Sequence, residues 1–161
     1  MTIGIQRLIW QMEGVWDSYH RAVFTAGDVD TAVAVTTREC VLRNEPMHTG
    51  SVEGELRQFL RTSLVPHLPA DLAFQRVSRT VDQQRLVAEA MVSFIHDREV
   101  PWLLPGVAAT GRHAEVRAIS VVTFAHTTSL GTVTSRISAV RTLWDMWGLT
   151  NQLGVPDDQV V

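Results

Sequence analysis

The stretch that decides the fold is residues 113 to 144, HAEVRAISVVTFAHTTSLGTVTSRISAVRTLW. Apolar and polar residues alternate along two long runs in it, HAEVRAISVVTFAH and TVTSRISAVRTLW, and Val, Ile, Thr and Phe are frequent. Because successive side chains of a strand point to opposite faces, this pattern predicts two half-buried strands joined by a turn. Two earlier runs, LAFQRVSRTV and RLVAEAMVSFIH, have the same character. Residues 72 to 144 are therefore predicted to form an antiparallel meander.

The chain before the meander has the spacing of helices. Apolar residues recur every three or four positions from Leu8 to Val23, which predicts a long amphipathic first helix. Gly27 can end that helix, and Asp28 can cap a short second one. A short strand is predicted at residues 39 to 44, and a third helix at residues 51 to 66, where a proline stops it.

Helices followed by a meander indicate an α+β fold and not an alternating one. A twisted antiparallel or mixed sheet can curl around helices, so we predict N-terminal helices packed in the concave face of a strongly curved sheet, with a cavity open at one end. The chain has 161 residues, of which 45% are hydrophobic, and this suits one domain over residues 1–161.

Composition excludes several classes of function. The formal charge is only -3, and no basic cluster indicates a nucleic-acid partner. All 14 basic residues are Arg, so the chain cannot form a Schiff base, hold pyridoxal phosphate covalently or build a Walker A loop. The acidic and histidine residues have no spacing typical of a metal site, and we predict no metal and no cofactor. The apolar stretches are too short for a membrane span, and Cys40 is the single cysteine, so a cytoplasmic protein is expected.

The segment PWLLPGVAATGR, residues 101 to 112, is an apolar loop between two predicted strands. Its prolines stiffen it and its glycines allow sharp turns. Trp102, Leu103 and Leu104 are candidates for a lid that excludes water from the cavity. The alternative is that these side chains pack against a second subunit.

Several of these segments resemble one family. PGVAATGR before a strand, WDMWGLTNQLG after the last strand, AGDVDTA and FIHDREVPW are similar to the SnoaL-like branch of the nuclear transport factor 2-like superfamily. The resemblance covers nearly the whole chain and implies a cone-shaped α+β barrel. It also implies a cyclase, isomerase, dehydratase or epoxide hydrolase acting on a polyketide-like or other hydrophobic metabolite. Where the family often has a Glu-His-Trp segment, this chain has Ser138, Ala139, Val140 and Arg141.

The family position for an acidic residue facing the cavity falls on Asp145, nine residues before Gly154. Trp144, Met146 and Trp147 flank it, so partial desolvation would suit it to act as a general base or acid. The alternative is an Asp that caps the last helix. His96 is predicted to share a face with Val92 and Phe94 and to assist Asp145 as a hydrogen-bond donor or proton shuttle; a purely structural histidine is the alternative.

Aromatic and apolar residues near these positions are the predicted substrate contacts, although a stripe of aromatic residues on a helix is also typical of a core. They are Trp16, Tyr19, Phe94, Trp102, Leu104, Trp144 and Trp147. The prediction is a cofactor-independent cyclase or isomerase that forms a homodimer. The alternative is a non-catalytic module of the same fold that binds a small ligand or makes a dimer.

Overall fold

The computed structural model describes the backbone of residues 2 to 156 and the side chains of residues 4 to 156. The two ends of the predicted domain, positions 1 and 161, lie outside the described residues. Within them, the helices are α1 (Thr2–Arg21, continued by a π-helical turn Ala22–Ala26), α2 (Val29–Ala34), α3 (Leu56–Phe59, continued by Leu60–Leu64 and Val65–His67) and α4 (Met146–Leu153). The strands are β1 (Thr36–Glu45), β2 (Thr49–Ser51), β3 (Ala73–Val81), β4 (Arg85–Ile95), β5 (His113–Ser129) and β6 (Thr132–Trp144).

All six strands belong to one mixed sheet in the order β2-β1-β6-β5-β4-β3. The meander β3 to β6 is antiparallel, as predicted, and β1 pairs with β6 in parallel. The third predicted helix begins at Leu56 and not at residue 51. Strand β2 was not predicted, because three residues are too few to show an alternating pattern.

The sheet is bent by irregularities in three of its strand pairs. The register shifts between Thr36 and Val41, between Arg76 and Ser78, and between Thr123 and Phe124. An extra residue in one strand of a pair bends that strand and increases its twist. Met12, Trp16 and Tyr19 of α1, and Val23 of the π-helical turn that follows it, are buried against the resulting hollow. The predicted α+β architecture, a helix in the concave face of a curved mixed sheet, is confirmed.

Cap residues fix the ends of the helices around this hollow. Gly27 has a left-handed backbone conformation and ends the turn that follows α1, and the Asp28 side chain accepts a hydrogen bond from the Thr31 amide at the start of α2. Both roles agree with the prediction from sequence. No helix among residues 2 to 156 is long and apolar enough to cross a membrane.

The β1–β2 hairpin is held by a glycine that no other residue can replace without strain. Gly50 has φ +147°, and a Cβ atom added there would collide with the carbonyl oxygen of Leu42 in the neighbouring strand. Gly54 also has positive φ, at +80°, but its Cβ would meet open space.

We therefore expect Gly50→Ala to lower the free energy of unfolding by about 2 kcal/mol or more, since both backbone strain and a steric clash oppose the substitution. Gly54→Ala, the control, carries only the strain of positive φ and should cost about 1 kcal/mol. Urea denaturation of the two variants measures both values. Equal losses would show that the close approach to Leu42 does not constrain the hairpin.

Candidate functional site

The concave face of the sheet and helix α1 enclose a cavity of about 220 Å³. Its walls are mainly aromatic and aliphatic, with a few polar groups. The lining residues are Trp16, Asp17, Tyr19, His20, Phe24, Leu42, Asn44, Leu64, Phe74, Arg76, Arg79, Ala88, Glu89, Ala90, Trp102, Ala118, Ser120, Val140, Thr142 and Trp144.

One wall of the cavity carries an ion pair between helix α1 and strand β3. The two Nη atoms of Arg79 donate to the two carboxylate oxygens of Asp17, at 2.7 Å and 3.4 Å. The Arg79 side chain is only 10% exposed, whereas the Asp17 side chain is 41% exposed. This fork geometry fixes the orientation of the Asp17 carboxyl group at the cavity wall.

Two further charged residues border the cavity near Asp17. Arg76 reaches to within 3.7 Å of the same carboxylate and is 59% exposed, so it lies at the mouth. Glu89 accepts a hydrogen bond from Ser78 at 2.9 Å and pairs with Arg117 at 3.1 Å. Since Arg117 belongs to the outer face of β5, the charge of Glu89 is compensated outside the cavity.

His20 follows Asp17 by one helical turn and is packed among aromatic rings. Its ring centroid lies 4.5 Å from that of Phe74, in an edge-on arrangement, and 4.7 Å from that of Phe24. Burial lowers the pKa of His20 to about 4, although Asp17 opposes this shift. His20 is therefore a neutral imidazole at neutral pH.

Three hydrogen-bond donors on residues that line the cavity are buried and unpaired. The Tyr19 hydroxyl, the Trp102 indole N–H and the Nε of Arg79 have no partner among the described residues. Tyr19 and Trp102 are almost completely buried. Buried polar atoms are normally paired, so these donors are candidates for contacts with a ligand.

Asn44 fixes two of the cavity's tryptophans. Its Oδ1 accepts from the Trp144 indole at 3.1 Å, and its Nδ2 donates to the Trp102 carbonyl oxygen at 3.4 Å. The hydroxyl of Thr49 in β2 donates to the same carbonyl oxygen. The edge-on contact of the two indole rings, 5.8 Å between centroids, follows from this arrangement.

The sheet floor contributes a pair of hydroxyl groups. Ser120 and Thr142 face each other across β5 and β6, with 2.9 Å between their oxygens. One hydroxyl of the pair donates to the other, so the accepting hydroxyl keeps a free hydrogen that can be directed toward a ligand.

The predicted substrate contacts divide into three groups. Trp16, Tyr19, Trp102 and Trp144 line the cavity. Phe94 and Leu104 are buried in the hydrophobic core, where they support the fold. Trp147 is 76% exposed on α4 and does not line this cavity.

Asp145 is not the desolvated carboxylate that the family resemblance implies. Its side chain is exposed, and its Oδ1 accepts a hydrogen bond from the Gly148 amide at 2.9 Å as the N-cap of α4. It borders the outer face of the sheet together with Arg117 and Leu143. The helix-capping alternative describes Asp145 correctly.

His96 lies on the predicted face of β4, with Val92 and Phe94, and is fully buried. Its Nδ1 accepts from the Thr110 amide at 3.2 Å and lies 3.0 Å from the Thr110 hydroxyl. Burial lowers its pKa. These contacts tie the end of β4 to the end of the following loop, so the structure supports the structural alternative for His96.

The apolar loop is a fixed wall of the cavity. Trp102, Leu103 and Leu104 are buried by their own chain, which makes them unavailable to a second subunit. The amides of Leu103 and Leu104 bond to the Val100 carbonyl in a tight turn. With the Trp102 carbonyl held by Asn44 and Thr49, the loop closes one side of the cavity.

Asp17, His20 and Arg79 were not predicted as site residues. The segment WDSYH contains a signal, since Asp17 and His20 are polar residues beside the buried aromatic stripe of α1. The alternating sequence pattern could not predict that Arg79 faces the cavity. The irregularity between Arg76 and Ser78 exchanges which residues of β3 face inward and which face outward.

Solved structures share this fold, although comparison of the sequence alone identifies no similar protein. No family model and no curated protein matches the sequence. A candidate SnoaL-like polyketide cyclase from Jannaschia sp. CCS1 matches with a TM-score of 0.63 at 16% identity, over 88% of this chain and 92% of that one. The chain has a SnoaL-like, NTF2-like fold.

Two further solved structures extend this likeness. The epoxide hydrolase/cyclase-like enzyme SalBIII, with a role in pyran ring formation in the polyether salinomycin, matches with a TM-score of 0.57 at 15% identity, over 84% of this chain and 95% of that one. A ketosteroid isomerase-like protein from Erwinia carotovora atroseptica SCRI1043 matches with a TM-score of 0.57 at 15% identity, over 85% and 95%. This SnoaL-like fold is thus shared with proteins named for different chemistries.

The lowered pKa of His20 predicts a pH dependence of stability. Between pH 6.5 and about 4, the unfolded chain binds a proton at His20 that the folded chain does not. The free energy of unfolding is therefore expected to fall as the pH drops through this window. His20→Phe keeps an aromatic ring and cannot titrate, so its stability relative to wild type should rise steadily toward low pH.

Urea denaturation at several pH values measures this difference. The matched control is His113→Phe, at an exposed position at the start of β5. A constant difference between His20→Phe and wild type across the window would contradict the burial of a neutral His20.

Proposed function

We propose that the chain is a cofactor-independent cyclase or isomerase that acts on a hydrophobic metabolite, with Asp17 as its general base and acid. The observation that carries this proposal is the Asp17 carboxylate on the wall of a mainly apolar cavity, two of whose lining residues, Tyr19 and Trp102, carry unpaired donors. Asp17 takes the role that the family resemblance implied for Asp145. The exposed position of Asp145 supports this reassignment.

The proposed reaction begins with a substrate carbonyl whose oxygen accepts hydrogen bonds from the unpaired donors Tyr19 and Trp102. A proton passes from the carbon beside that carbonyl to Asp17, and the electron pair of the C–H bond moves toward the carbonyl oxygen. The two donors stabilise the negative charge that develops there. Asp17 then returns the proton to another carbon, which is isomerisation, or to the oxygen of a second carbonyl that the enolate carbon has attacked, which is ring closure.

The fold relatives support this class of reaction. Proteins of this fold carry the names polyketide cyclase, epoxide hydrolase/cyclase-like enzyme and ketosteroid isomerase-like protein. Acid-assisted epoxide opening and dehydration also need a carboxylate in an apolar cavity. We place enolisation first, because the two buried donors suit an oxyanion.

A second candidate function is binding without turnover. Asp17 accepts hydrogen bonds from Arg79 and lies beside Arg76, so part of its carboxylate is already occupied by protein donors. A protein that only holds a hydrophobic ligand has no need of a strong base. The two functions predict different behaviour of a bound ketone: the enzyme would exchange the hydrogen beside its carbonyl, and the binding protein would not.

The test uses β-tetralone, a benzo-fused cyclic ketone with an acidic benzylic C–H bond beside its carbonyl. In deuterated buffer, the wild-type chain should exchange that hydrogen faster than buffer alone, as followed by proton NMR. Asp17→Asn should lower the enzymatic rate about 100-fold or more, because it removes the proton acceptor. Asp145→Asn is the matched control and should leave the rate unchanged.

Binding must be measured beside exchange, since it separates the two functions. Trp16, Trp102 and Trp144 lie in the cavity, whereas Trp10 and Trp147 are exposed. In a Trp10→Phe, Trp147→Phe background, tryptophan fluorescence therefore reports cavity occupancy. If the wild-type chain binds the ketone but its hydrogen exchanges no faster than in buffer, the proposal of an enzyme is refuted and binding without turnover is the remaining function.

The predicted homodimer stays a proposal, with the outer face of the sheet as its contact. Val87, Ile119 and Leu143 point away from the cavity and are exposed in the single chain. Ile119 and Leu143 are direct cross-strand partners on β5 and β6. A second copy of the same face is the occupant we propose, because apolar side chains on neighbouring strands form a continuous patch.

Light scattering coupled to size-exclusion chromatography tests the dimer. Wild type should elute with the mass of two chains, and Ile119→Arg should elute as one, since it places a charge in the apolar patch. Leu130→Arg, at the fully exposed tip of the β5–β6 hairpin, is the control and should remain dimeric. A monomeric wild type, or a dimer unaffected by Ile119→Arg, would refute this interface.

A further inference from the structure

The mouth of the cavity carries an uncompensated positive charge. Arg76 and Arg79 share the single carboxylate of Asp17. Glu89 is already paired with Arg117 on the outer face, and His20 is neutral at neutral pH. One guanidinium charge at the mouth thus remains available to a ligand, and the unpaired Nε of Arg79 lies in the same wall.

The donors inside the cavity suit a neutral hydrogen-bond acceptor of a ligand and not a charged group. The Tyr19 hydroxyl and the Trp102 indole N–H are buried, unpaired donors of residues that line the cavity. Desolvation raises the pKa of the Tyr19 hydroxyl well above its ordinary value, so this group donates and does not ionise. A neutral oxygen acceptor satisfies both groups, whereas the arginines at the mouth suit an anion.

We propose that the ligand is a small aromatic carboxylate with a hydrogen-bond-accepting oxygen at the end opposite its acid group. The carboxylate binds Arg76 and the Nε side of Arg79, and the accepting oxygen binds Tyr19 and Trp102. This inference rests on the proposed function only in taking this cavity as the binding site. It adds the substrate class, which that proposal leaves at hydrophobic metabolites.

The cavity walls fit the body of such a ligand. Aromatic rings of α1, β3, β6 and the apolar loop surround the space between the two polar ends, and flat rings pack well against other aromatic rings. The volume of about 220 Å³ is below the ~300–1,000 Å³ of cavities that hold drug-sized molecules. The ligand is therefore small, and its reacting C–H bond lies between the two anchors, near Asp17.

Three matched probes separate the two ends of the ligand. The reference is para-acetylbenzoate, which has a carboxylate and a ketone oxygen at opposite ends of a ring. Its methyl ester removes the charge, and para-isopropylbenzoate removes the acceptor with little change of shape. Titration calorimetry should show that the reference binds about tenfold more tightly than the ester and about fivefold more tightly than the isopropyl analogue.

Variants assign each preference to its residues. Arg76→Gln should weaken the reference about threefold without affecting the ester, and the matched control Arg136→Gln, on the exposed β5–β6 hairpin, should change neither. Tyr19→Phe should reduce the preference for the acetyl over the isopropyl probe from about fivefold to about twofold, because the Trp102 N–H remains as a donor. Asp17→Asn should strengthen binding of both carboxylate probes, because it frees both arginines, even though it removes the proposed catalytic base.

Three results would overturn the inference. Equal affinities for para-acetylbenzoate and its methyl ester would show that the site does not select a negative charge. Carboxylate binding that is insensitive to both Arg76→Gln and Asp17→Asn would show that the carboxylate binds away from these arginines. Absence of binding by all three probes would also reject this ligand class. None of these results affects the exchange of β-tetralone, which tests the proposed function separately.

Discussion

The side-chain amide of Asn44 is the contact on which the cavity depends. It is buried, and it joins the first strand, the last strand and the apolar loop by bonding to the Trp144 indole and the Trp102 carbonyl oxygen. Each of these groups is buried away from water, so an unmade bond would cost the full desolvation of that group. The network has one arrangement in which its donors and acceptors match, and that arrangement sets the position of both indole rings.

Because these contacts fix the cavity walls, unpaired polar atoms in them keep constant positions. The backbone of Trp102 is fixed by Asn44 and Thr49, so its indole N–H keeps one position although it has no partner among the described residues. The same applies to Tyr19, whose helix is fixed by the burial of Met12, Trp16 and Val23. Donors that are held in place before a ligand arrives need no reorganisation when charge develops on it.

The sequence predicted the fold much better than the site, and particular residues show why. Strand β6 begins and ends where the alternating pattern predicts, because its burial follows a local period. Asp145 and Asp17 look alike to such an argument, since both are acidic residues beside tryptophan. What separates them is the end of β6, which makes Asp145 a helix cap, and the bulge in β3, which turns Arg79 inward toward Asp17. Both depend on strand pairing that one segment of sequence does not reveal.

The position of Asp17 between two arginines has a consequence for how binding and chemistry are connected. A ligand carboxylate and Asp17 would compete for the same guanidinium groups, so a bound anion takes hydrogen bonds away from Asp17. The Asp17 oxygens that this exchange releases can then approach a substrate C–H bond, whereas without the anion they contact protein donors. A ligand without an acid group leaves those contacts in place and reaches Asp17 only through the carboxylate lone pairs that Arg79 does not use. Selection of the ligand and access of the substrate to Asp17 would depend on the same two arginines.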